Sequence, residues 1–259
     1  MVSTLSSLLG PAIGGVLFGA FGLTPILVIS IVCFIISAIM EIFIHIPYQK
    51  RDKGKGIFAT VRNDLIEKPI FFFFFGILAI FNLVLSAAMI VGIPVMVVQV
   101  LGMSDADLGI AQGALGLGGL IGGLLAGTST QKLKIRYNYI YLLICSSTAL
   151  IMGISAIPTS IGFWLITIMS FVTMCVSTMF TISIFTVVQQ QTPIHLLGKV
   201  MATIIAVSSC FQPIGQAIYG ELFENLETIS WVIMVGAAIV SFGVSILSKR
   251  IFYRLEKGE

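Results

Sequence analysis

The chain has 259 residues, of which 58% are apolar and only 10% charged, with a net charge of +3, and its mean hydropathy is +1.09. Soluble domains carry about 25% charged residues, so this composition excludes a water-soluble enzyme or nucleic-acid-binding module and points to a chain that crosses the bilayer repeatedly. At ~20 residues per crossing, the length accommodates about eight helices.

Residues 1–10 hold no basic n-region and no small-residue cleavage site, so no signal peptide is expected and the helices act as insertion signals. The first span, residues 2–21, contains Gly10-Pro11-Ala12-Ile13-Gly14-Gly15. This run would weaken a helix in water, but a membrane tolerates it, because glycine lets helix backbones approach closely. Pro25 suits the first turn of the second span, which reaches residue 46 and stops at Pro47.

Residues 48–68 form the one long polar loop, opening with Gln49-Lys-Arg-Asp-Lys-Gly-Lys-Gly56. Behind it Ile57, Phe58, Val61 and Leu65 share a helical face, which reads either as a short surface-lying amphipathic helix or as a solvated linker. The third span, 69–100, opens at Pro69 and is expected to kink near Pro94. The remaining spans are expected at 108–127, 139–157, 161–188, 200–222 (with Pro213 inside) and 228–247, followed by a tail. The expected organisation is 1–46 as a two-helix unit, 47–68 as a central loop, 69–248 as a six-helix bundle and 249–259 as a tail.

Every Lys and Arg falls in the long loop, in 132–136, at Lys199 or in the tail. With eight spans these segments share one side, while the other side carries Asp105, Asp107, Glu224 and Glu227 and no base. The positive-inside rule then places the C-terminus in the cytoplasm of a multi-pass inner (plasma) membrane protein. Cys33, Cys145, Cys175 and Cys210 all lie in apolar spans without a Cys-x-x-Cys pair, so neither disulfide nor metal roles are expected.

The stretch from Leu9 through Pro11 to Gly19 is similar to the stretch from Phe211 through Pro213 to Gly220. Each has a proline, then small residues, then a glycine near the outer end. Internal repeats of this kind mark secondary transporters. At this point the sequence resembles the major facilitator superfamily. Gly10, Pro11, Gly14 and Gly15 resemble the antiporter motif of the family's fifth helix, and Pro193, Gly198, Lys199 and Val200 its loop between helices ten and eleven. Among branches, the chain looks most like bacterial drug, macrolide or siderophore exporters. The resemblance departs at Ser6, where the family has glycine, and at Gly127 and Thr128, where it often has aspartate and a base. It implies an all-α integral membrane protein with the C-terminal six-helix bundle and the last two helices of the N-terminal bundle. The expectation is therefore a partial chain lacking four helices of an N-terminal half.

Polar groups inside spans are functional candidates. Asn82, Gln112, Gln212 and Gln216 are the expected substrate contacts, with interhelical hydrogen bonding as the alternative. Gly119, Gly123 and Gly127 form a small-residue ridge for helix packing, and Pro213 inside the seventh span is a further expected packing position. Glu41 and Glu221 lie about a turn from span ends, where snorkelling explains them. His45 and His195 belong to no ligand or triad constellation, so no enzyme, cofactor or metal site is expected. The expected function is secondary efflux of uncharged or lipophilic drug-like molecules through the lipid bilayer, with protons as the coupling ion by resemblance. The alternative is a non-transporting remnant or an accessory half-transporter subunit.

Overall fold

The computed structural model describes residues 23–43, 69–129, 135–155, 160–192, 194, 197–226 and 229–257. Gly10, Pro11, Gly14 and Gly15, the loop 48–68 and both histidines lie outside these residues. Among the described residues there is no strand, and six helices are long and apolar enough to cross a membrane. The chain is an all-α membrane protein. A shorter helix, α1 (Leu23–Ile42), corresponds to the expected second span and exposes apolar side chains along its length.

The third span is one long helix with two irregularities. α2 (Pro69–Phe81) passes into a π turn at Asn82–Ser86, resumes as α3 (Ala87–Pro94), and ends in a second π turn at Val95–Val100. The second π turn begins directly after Pro94, whose ring and missing N–H disturb the ladder of the preceding turn. At the first, the Asn82 amide donates to the Leu78 carbonyl at 2.9 Å, a side-chain bond that competes with the backbone ladder.

Gly102, at φ +65°, turns the chain out of this span, and the Met103 N–H closes the end by donating to the Val97 carbonyl at 3.0 Å. α4 (Asp105–Ser129) then starts with a reciprocal cap. The Ser104 N–H donates to the Asp107 carboxylate at 3.1 Å, and the Asp107 N–H to the Ser104 hydroxyl at 3.3 Å. A 3₁₀ turn at Ile135–Tyr137 leads into α5 (Asn138–Ile154), followed by α6 (Ser160–Gln191), α7 (Leu197–Asn225) and α8 (Ser230–Lys257).

α8 runs ten residues past the expected span end at 247. Phe252 explains the extension, because it is fully buried and meets Phe73 edge-on with centroids 5.2 Å apart. The Ser245 hydroxyl donates to the Tyr139 carbonyl at 2.8 Å, and Lys249 Nζ sits 5.3 Å from the centre of the Tyr139 ring. These contacts join the end of α8 to the start of α5.

The third span is the centre of the bundle, and its two ends anchor the two larger apolar clusters. Phe74, Phe75 and Leu78 pack with Phe180, Ile184 and Ile204 at one end. Ile93, Met96 and Val97 pack with Met152, Ile166 and Met234 toward the other. α4 lies along α6, and α8 along α5, while the third span packs against α7. Between the two clusters, on the side facing α4, α6 and α7, the packing leaves a cavity.

Candidate functional site

Glycine positions on α4 set how close that helix lies to its neighbour. A Cβ at Gly118 would collide with the Phe171 carbonyl oxygen of α6, and one at Gly122 with the Cys175 carbonyl oxygen. Ala111 and Ala126 continue the same strip and are fully buried. The tight contact thus uses Gly118 and Gly122 rather than the expected ridge, which lies one residue, about 100°, further round the helix. On that ridge a Cβ at Gly119 would come into ordinary contact with the Met174 and Thr178 side chains, at 3.6 and 3.8 Å, whereas one at Gly123 or Gly127 would meet nothing within 4 Å among the described residues.

The cavity measures about 400 Å³. The third span supplies an apolar wall from Phe81, Leu85, Met89, Ile90, Ile93 and Pro94, with the Ser86 hydroxyl from the first π turn. α4 contributes Gln112, Leu115 and Gly116, α6 contributes Thr173, Met174 and Ser177, and α7 contributes Gln212. None of these fourteen lining residues is ionisable.

Two of the four expected contacts, Gln112 and Gln212, therefore meet at one cavity although 100 residues separate them. Asn82 and Gln216 are half-buried but are not among the lining residues. Asn82 commits its amide N–H to Leu78. Gln216 stands one turn beyond Gln212, about 40° round α7. Pro213 lies between them inside the helix, where its nitrogen donates no hydrogen bond.

The polar lining divides by whether its groups are already spent. The Thr173 hydroxyl donates to the Met169 carbonyl at 2.7 Å and lies 2.6 Å from the Thr148 hydroxyl of α5, which ties the cavity wall to the helix behind it. The Ser177 hydroxyl donates to the Met174 carbonyl at 3.2 Å. The side chains of Gln112, Gln212 and Ser86 make no hydrogen bond among the described residues. Ser86, Thr173 and Ser177 were not expected as lining. The four-residue spacing of Thr173 and Ser177 is a faint signal, but serines and threonines bond their own helix throughout α5 and α6.

The charged groups expected near span ends are placed accordingly. Glu221 is exposed and accepts from Asn225 Nδ2 at 2.8 Å, and Glu41 is exposed near the end of α1. No cluster of three or more His, Cys, Asp or Glu that could hold a metal occurs among the described residues.

A mid-span cavity walled by helices from four spans is a candidate ligand site, since helix bundles place such sites between their helices. The family model described as Major Facilitator Superfamily matches residues 1–218. The chain belongs to the Major Facilitator Superfamily. It is accordingly a membrane transporter, and all fourteen lining residues of the cavity lie within the matched stretch. Comparison with curated proteins finds no significant match for this superfamily member.

Proposed function

We propose that the protein is a secondary active exporter of small lipophilic, drug-like molecules, driven by proton antiport, and that the cavity is its substrate site. The observation that carries the reading is the wall itself: four spans converge at mid-depth around a mostly apolar space with neutral polar groups. Alternating access needs a site at that depth, where rocking of helices opens it to either side. Antiport rests on the resemblance of Gly10, Pro11, Gly14 and Gly15 to the antiporter motif. A plasma-membrane location with a cytoplasmic C-terminus rests on the charge map, and the contact between Lys249 on α8 and Tyr139 at the start of α5 supports a shared basic side.

The test is retention of Nile red, a neutral lipophilic dye, in cells with and without the protein. Expressing cells are expected to retain less dye, and a protonophore to abolish the difference. Equal retention in energised cells would overturn export, and a difference that survives the protonophore would overturn proton coupling.

A further inference from the structure

We propose that Gln112 and Gln212 act together as an amide filter. On this proposal the cavity favours uncharged ligands that can hydrogen-bond with the two amides, best of all those that carry both a donor and an acceptor, such as amides, lactams, carbamates and sulfonamides, and rejects lipophilic ions. The inference rests on the cavity being the substrate site and adds to it the chemical class admitted.

The two glutamines reach the cavity from helices on either side of the third span, which packs against both α4 and α7. Each carboxamide offers two N–H donors and a carbonyl acceptor, and neither is spent on the protein among the described residues. Asn82 marks the contrast. It carries the same functional group on the neighbouring helix, yet its amide N–H is committed to the Leu78 carbonyl. Thr173 and Ser177 are likewise committed to helix carbonyls. The unspent hydrogen-bonding capacity of the lining is therefore concentrated in two amides, with the Ser86 hydroxyl beside them.

This arrangement discriminates in two directions. A hydrocarbon ligand would displace water from both amides and return nothing, leaving polar groups unsatisfied against a mostly apolar wall. An ion would lose its hydration and meet no counter-charge, because no ionisable residue lines the space among the described residues. A neutral molecule with a donor and an acceptor avoids both penalties. Shape is controlled loosely, since Met89 and Met174 supply unbranched, polarisable wall that repacks around different scaffolds.

The matched probes are dansylamide, neutral at pH 7, and its trimethylammonioethyl derivative, which adds a fixed positive charge to the same fluorophore. Both are titrated by fluorescence against the full chain in nanodiscs. Dansylamide is expected to bind about tenfold or more tightly than the cation. The double variant Gln112→Leu/Gln212→Leu, apolar and suited to a membrane interior, is expected to lose about tenfold in dansylamide affinity. Gln212→Glu keeps the side-chain shape and is expected to reverse the preference toward the cation, a change of sign that a merely structural role for Gln212 would not produce. Equal or tighter cation binding by the unmodified protein, or an undiminished dansylamide affinity in the double Leu variant, would overturn the filter. If neither probe binds while cells still expel Nile red, export stands and the filter falls. If binding and export are both missing, both readings fall.

Discussion

α4 presents two strips of small residues, and they have opposite fates. Gly118 and Gly122 lie against the backbone of α6 so tightly that a methyl group has no room. Gly123 and Gly127, on the adjacent strip, have no neighbour among the described residues where a methyl group would go. Glycine therefore serves close helix contact on one strip, while on the other its smallness is not consumed within the described bundle. The same contrast holds for the amides, spent at Asn82 and unspent at Gln112 and Gln212.

The packed strip breaks most easily. Gly122→Val would drive a branched side chain into the Cys175 backbone, and overpacking of this kind costs about 1–3 kcal/mol or more. The expected result is a lost monodisperse peak and a lowered melting temperature, measured by size-exclusion chromatography in detergent after heating. Gly215→Ala is next. Its Cβ would meet the Leu83 carbonyl oxygen in the first π turn and the Ala87 Cβ at 2.6 Å, so a loss of about 1–2 kcal/mol is expected in the same assay.

A smaller effect belongs to the polar tie behind the cavity. Thr148→Val removes the partner 2.6 Å from the Thr173 hydroxyl while preserving volume, and interhelical bonds of this kind are worth ~0.6 kcal/mol in membranes. A correspondingly slight shift in melting is expected. Gly127→Ala, on the open strip, is the least perturbing. Stability is expected to stay level or rise by less than about 1 kcal/mol, because alanine is the better helix former. A destabilisation by Gly127→Ala as large as that by Gly122→Val would erase the distinction between the strips.

Much of the fold is legible in the sequence. Apolar runs bounded by Pro69, by Ser104-Asp105 or by the polar run at 189–191 mark helix ends to within a few residues, because the bilayer demands one length and one composition. The extension of α8 is not legible, since a single Phe252 in a basic stretch does not reveal that Phe73 waits beside it. The π turns alter no periodicity that hydropathy would show.

The site is half legible for a related reason. A glutamine inside a span is rare enough to flag Gln112 and Gln212. Whether Gln212 or Gln216 reaches the cavity depends on about 40° of helix rotation, which only packing decides. The same holds for the two strips of α4. Ser86, Thr173 and Ser177 stay hidden among the many hydroxyls that simply bond their own helix.

The most direct measurement places a single cysteine in the cavity wall. Ser177→Cys, with the four native cysteines replaced by alanine, is alkylated by neutral N-ethylmaleimide in membranes with and without Nile red. If the cavity holds the substrate, Nile red slows the labelling several-fold. An unchanged labelling rate in a variant that still exports the dye would place the substrate elsewhere.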